Sequence, residues 1–367
     1  MKKIFFAFFT FSIFLSNAQI APKRKIQLVI LFDTSNSMDG LINQAKSKIW
    51  SIVNETSKLT YQGIQPQLEI AMYDYGNQSL NAKDYWIRKQ MDFTQDLDLV
   101  SAKLFGLSTN GGDEFCGAVI QKSLSDLQWS KDNKDLKMIF IAGNEPFNQG
   151  PISYTEACAA AKNKGVIVST IFCGDYTEGV NTFWKDGATC SGGDYFNINS
   201  DKAIQYISTP YDQQIQEYNT KLNGTYVSFG EKGFAKKLEQ KNQDENASSL
   251  NEVVLIERTK AKSSANYKNT DWDLVDAVNA DSTRIFKLEP EELPAELKGK
   301  SKEEIQKYVN DKKLERSNIQ AEITKLSVER EKYIETEKLK NNTSKEDDLG
   351  IAISKSIKKV AVKNGFE

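Results

Sequence analysis

The chain of 367 residues contains no histidine. Ser-His-Asp and Cys-His catalysis, His-ligated zinc and imidazole-based pH switching are excluded with it. Net basic charge is missing as well. Forty-eight basic and 50 acidic side chains leave a formal charge of −2 and a pI near 5.7, which argues against nucleic acid as a partner. Cysteine is scarce, with four residues. Beyond the N-terminus no run is apolar enough to span a membrane.

The one strongly apolar run, Ile4–Leu15, follows Lys2 and Lys3 and precedes Ser16-Asn17-Ala18. A basic start, a short apolar stretch and small residues at −3 and −1 make residues 1–18 a secretory signal peptide, cleaved after Ala18. The run falls well short of the roughly 20 residues a membrane span needs. The mature chain is therefore expected to be periplasmic or secreted. In that compartment Cys116, Cys158, Cys173 and Cys190 are either disulfide-bonded, with three possible pairings, or buried free thiols.

Charge divides the remaining chain. Residues 1–211 carry 41 charged side chains, and the shorter stretch 212–367 carries 57. The first part has the composition of a packed core, and the second reads as exposed helix with limited core of its own. Residues 25–32 (KIQLVILF) form a continuous apolar run, as a central strand buried on both faces does. Further strands are predicted at 67–75, 136–142, 165–172 and 194–198. Helical stretches are predicted near 38–53, 96–105, 114–128, 153–164, 179–187 and 200–208. This alternation predicts an α/β fold, a doubly wound and mostly parallel sheet, followed by a mainly α-helical C-terminal region. Residues 212–300 read as a mixed, largely helical linker region. Residues 301–367 read as a charged helical region, a hairpin or short coiled coil, because Lys312, Arg316 and Arg330 interrupt its apolar seam.

In such folds ligands bind beyond the carboxyl ends of the strands. There the first strand runs into Asp33-Thr34-Ser35-Asn36-Ser37. One carboxylate and two hydroxyls in a tight turn suit a hard cation such as Mg²⁺, with Mn²⁺ or Ca²⁺ as alternatives. The competing reading is that Asp33 and Ser35 only cap the next helix. By composition alone the pattern arises by chance in roughly one chain in ten of this length.

Over residues 24–209 the chain resembles the von Willebrand factor A family, whose metal-ion-dependent adhesion site uses D-x-S-x-S after the first strand. The resemblance implies a divalent-metal site built on Asp33, Ser35 and Ser37. Gly111-Gly112-Asp113 matches the family's second loop, with Asp113 in place of its threonine ligand and Thr109 as a weaker candidate. In the third loop Asn144 stands where the family has an aspartate, and Glu145 follows it. The family's strand order also sets the helices that open near 114 and 153 side by side, so Cys116–Cys158 is the disulfide it implies.

The function that follows is an exported binding protein. It holds a divalent cation and, through it, a protein ligand that offers a carboxylate. One alternative is a structural scaffold with a degenerate metal site that acts through its helical tail. A metal-dependent hydrolase is the lesser alternative, because Ser35 stands where the haloacid dehalogenase phosphatases carry a second carboxylate. The expectation is that the chain is not an enzyme.

Overall fold

The structure, a computed structural model, describes residues 23–39, 41–198, 206–340 and 349–367. The segment expected to be a signal peptide and most of the helix expected at 200–208 lie outside the described residues. Six strands form one sheet: β1 (Lys25–Asp33), β2 (Gln67–Tyr75), β3 (Ile87–Thr94), β4 (Leu136–Gly143), β5 (Ile167–Cys173) and β6 (Tyr195–Ile198). Their order is β3-β2-β1-β4-β5-β6, with β3 antiparallel to β2 and every other pairing parallel. This is the doubly wound sheet expected, plus one strand, β3. Its solvent face is polar and it buries mainly Ile87 and Met91, so it carries no continuous apolar run.

The central strand explains why two layers of helix are needed. Ile26, Leu28, Ile30 and Phe32 of β1 face one way, and Val29 and Leu31 face the other. All are essentially inaccessible, as the two-residue period of a strand requires when both faces are covered. On the second face lie α3 (Cys116–Asp126), α4 (Tyr154–Asn163) and the short α5 (Tyr176–Asn181) and α6 (Trp184–Thr189). Ser153 caps α4 by accepting from the Thr155 N–H, and Ala157, Cys158 and Ala161 form its buried stripe. The single helix expected at 179–187 is broken at Phe183, whose φ is 69°. That break turns Trp184 inward, where it is fully buried.

The first face is covered by α1 (Ile42–Ser57) and α2 (Leu97–Phe105), and then by the C-terminal half of the chain. That half contains α7 (Asp212–Asn223), α8 (Gly233–Leu250), α9 (Glu252–Ser263), α10 (Leu274–Ala280), α11 (Lys302–Lys340) and α12 (Leu349–Lys363). Residues 302–340 form one unbroken helix. Its buried Ile319 and Ile323 belong to the same core as β1 and α1. α12 returns to the sheet: Ile353, Ile357, Val360 and Phe366 are buried in that core. Each such side chain contributes about 1.5–3 kcal/mol of burial. The chain end is fastened by reciprocal backbone hydrogen bonds between Glu367 and Thr60, both 2.8 Å. A second, smaller core, with Val227, Phe229, Leu274, Ile285 and Val309, lies within the helical half.

The disulfide differs from the one expected. Cys158 bonds Cys190 at the end of α6, with Cα atoms 6.1 Å apart, while Cys116 and Cys173 are buried free thiols. Although α3 and α4 do pack together, Cys116 turns toward the sheet edge. Its Sγ lies 3.7 Å from the Tyr75 hydroxyl, while Cys158 faces α6. No helix among the described residues is long and apolar enough to cross a membrane.

Candidate functional site

The carboxyl ends of the parallel strands bring the three predicted loops together. Asp33 is the last residue of β1 and pairs in register with Tyr75, and Phe32 pairs with Ala142, two residues before Asn144. Asp33 is fully buried, and its Oδ1 accepts the Ser35 N–H at 2.8 Å. Its Oδ2 is buried with no hydrogen-bond partner. Ser35 precedes a single 3-10 turn (Asn36–Met38) but makes no side-chain cap to it. Its hydroxyl lies 2.7 Å from that of Ser37. The capping alternative therefore does not describe Ser35. The Ser37 hydroxyl donates to Asn144 Oδ1 at 2.8 Å, and Asn144 Nδ2 donates to the Ser37 carbonyl at 3.1 Å. Asn144 thus braces the turn that carries the two serines.

The second loop departs from expectation. Asp113 is exposed, and its neighbour Glu114 is the buried carboxylate that turns in toward Asp33 and Ser35. Two glycines allow this approach. A Cβ at Gly112 would lie 2.5 Å from the Gly76 carbonyl oxygen. A Cβ at Gly76, where φ is 76°, would lie 2.7 Å from Glu114 Cγ and 2.9 Å from Asp33 Oδ1. Neither position has room for a side chain. Thr109 is engaged elsewhere, donating its hydroxyl to Asp39. Glu145 is half-buried; its carboxylate accepts a 3.4 Å hydrogen bond from Gln149, and its backbone carbonyl accepts the Trp184 indole N–H at 2.7 Å.

Burial pushes the Asp33 carboxyl up to about 7, against the Ser35 N–H and hydroxyl, which favour the anion. Burial also pushes Glu114 up to about 8, and the adjacent Asp33 charge adds to that shift. Both are held out of water without a compensating cation. The rest of the molecule does not tolerate this. Ten carboxylates are buried among the described residues, and eight of them have a Lys or Arg nitrogen within 4.0 Å. Asp33 and Glu114 are the two that have none.

The chemical inventory at this edge is therefore two buried carboxylates, two adjacent hydroxyls and a braced amide. Among the described residues no three His, Cys, Asp or Glu side chains gather into a metal-ligand group. Any cation held here would depend on the serine hydroxyls and on oxygens from outside the chain. Six-oxygen coordination of Mg²⁺, with several water ligands, accepts such a set. Sequence reasoning missed Glu114; the only signal for it was its place directly before the apolar start of α3.

Neither a protein-family profile nor a curated protein matches the sequence. Among solved structures, the chain is similar to proximal thread matrix protein 1 from the mussel byssus, at 14% identity and a TM-score of 0.37. That match covers 49% of this chain and 43% of the mussel protein, so the chain spans less than half of that relative. It is similar to BatB from Bacteroides thetaiotaomicron at 18% identity and a TM-score of 0.36, over 47% of this chain and 90% of that one. The SpRpn10 VWA domain is 14% identical with a TM-score of 0.37, over 51% of this chain and 94% of the domain. These are distant structural similarities to proteins that include VWA domains, and they extend to about half of this chain.

Proposed function

We propose that the protein is an exported binding protein whose sheet edge holds one divalent cation, Mg²⁺ or else Mn²⁺ or Ca²⁺, and docks a protein partner around it. The observation that carries this reading is the pair Asp33 and Glu114, buried carboxylates with no basic residue within reach and one oxygen, Asp33 Oδ2, without any partner. An isolated buried anion is costly, and a bound cation removes that cost. Asp33, Ser35, Ser37 and Glu114 would hold the ion. Asn144 orients Ser37, and Glu145 adds negative charge at the rim, while the exposed Asp113 stands outside the set. The ion would supply a point of attachment for a partner's oxygen. The role is binding and not catalysis.

The Cys158–Cys190 disulfide supports a periplasmic or secreted location, since such bonds persist in oxidising compartments. Calorimetric titration of Mg²⁺ and Mn²⁺ into the metal-stripped chain tests the reading. Saturable binding is expected, and it should vanish in Asp33→Ala. Absence of heat and of thermal stabilisation by either ion would leave a scaffold with a degenerate site as the function.

A further inference from the structure

Beside the serine turn the sheet edge opens into a cleft of about 680 Å³, bounded by Ser37, Asn144 and Glu145 on one side and Cys173, Asp175 and Glu178 on the other. We infer that this cleft receives a basic segment of a partner protein, presenting Lys or Arg side chains next to the bound cation. The inference rests on the metal reading above and departs from the acidic ligand that the family resemblance implies.

The charge of the walls is the first reason. Asp39, Glu145, Asp175 and Glu178 line the cleft, and no Lys or Arg does. None of the four has a Lys or Arg nitrogen within 4.0 Å among the described residues, although ion pairs are frequent elsewhere in the chain. The Asp175 carboxylate accepts from the Thr177 and Glu178 N–H groups. A concave surface lined by one sign of charge concentrates its field and draws the opposite charge.

The second reason lies beneath the rim. Asp33, wholly buried and with Oδ2 unpartnered, sits under the Gly143–Asn144 turn that walls the cleft; a Cβ on Gly143 would be 3.0 Å from that oxygen. With Glu114 it supplies two negative charges, enough to neutralise a divalent ion. An ion so neutralised offers little attraction to an incoming carboxylate, which would also meet four carboxylates in the walls. A neutral oxygen on the ion, flanked by basic side chains in the cleft, suits both parts of the surface.

The test uses the full mature chain saturated with Mg²⁺ and fluorescent oligolysine and oligoglutamate peptides at low salt, read by anisotropy. Oligolysine should bind. Asp175→Asn with Glu178→Gln, both off the metal motif, should weaken it about tenfold. Glu231→Gln with Glu291→Gln, the same charge change on the helical half, should leave it unaltered. Equal loss in the two double variants, no oligolysine binding, or preferred oligoglutamate binding would each overturn the inference. Mg²⁺ uptake measured on the same samples separates the two proposals. Uptake without oligolysine binding defeats only the basic partner; cleft-dependent oligolysine binding without uptake defeats the metal reading and, with it, the placement of the basic side chains next to a cation.

Discussion

Buried charge is handled in opposite ways in the helical half and at the sheet edge. In the helical half, Arg258 has no exposed surface. It meets Asp98 at 2.6 Å, Asp244 at 2.8 Å, the Ser101 hydroxyl and the Gln240 carbonyl. Lys262, equally buried, meets Asp244 at 2.7 Å and the Asn219 and Asn223 side-chain oxygens. Arg316 pairs with Asp273 and Asp276 and stacks on Tyr226. Every one of these interior charges is answered by the chain itself. At the sheet edge, Asp33 and Glu114 are buried with no basic residue to answer them. Ion pairing in the first region fixes α9 to α2 and α11 to α10, whereas the second region holds a deficit of positive charge. A structural site closes its own electrostatics, and a binding site leaves part of that closure to its ligand.

The largest effect that would sharpen this contrast is expected at Arg258. Arg258→Ala strands Asp98 and Asp244 in the interior, and a loss of about 3–5 kcal/mol is expected in denaturant unfolding. A cost near zero would mean that the helical half is not held to α2 by charge. At the sheet edge the sign should reverse. Glu114→Gln replaces a carboxyl that must take up a proton to stay buried at neutral pH, so the metal-free protein should gain on the order of 1–3 kcal/mol there. The same variant should lose its thermal response to Mg²⁺. Destabilisation of the metal-free form by this change would break the comparison.

A smaller, graded effect is expected with pH. In the unfolded chain the two edge carboxyls release their protons near 3.8 and 4.5, and in the folded chain near 7 and 8. Between those values the unfolded state binds fewer protons, so the stability of the metal-free protein should fall as pH rises from about 4 to about 8. Saturating Mg²⁺ should remove that decline. Asp244 behaves oppositely. Despite its burial, Lys262 and Arg258 hold its carboxyl below the ordinary range, so its contribution is lost only as pH falls below about 4. Stability that is flat or rising between pH 5 and 8 without metal would contradict the edge assignment. The smallest effect is expected at the exposed neighbour: Asp113→Asn should change Mg²⁺ affinity by less than about twofold, since a solvent-exposed charge contributes little. A loss as large as that of Glu114→Gln would return Asp113 to the ligand set.

Much of this was legible where burial forces a pattern. β1 announces itself because a strand covered on both faces must be apolar throughout, and the Asp33–Ser37 turn takes its meaning from following it. β3 was illegible because an edge strand wets one face, and residues 87–94 (IRKQMDFT) read as polar. The choice between Asp113 and Glu114 depends on how closely Gly112 approaches the Gly76 carbonyl, a tertiary contact that local spacing does not encode. Cys190, at the end of α6, meets Cys158 of α4 across 32 residues of sequence, a pairing that local spacing does not encode. Arg316 and Arg330 had counted against a long coiled coil, as charges on its seam. Their partners, Asp273 and Asp212, lie 43 and 118 residues away in sequence and turn the interruption into buried ion pairs. Interior charge reads as surface until its partner is known.

The most direct test is a crystal structure of the protein grown with Mn²⁺, with the ion located by its anomalous scattering. The account predicts one ion at the end of β1, bound by Asp33 and Glu114 and by one or both serine hydroxyls, with Asp113 in solvent. An edge without an ion, or an ion held by Asp113 with Glu114 turned away, would contradict it.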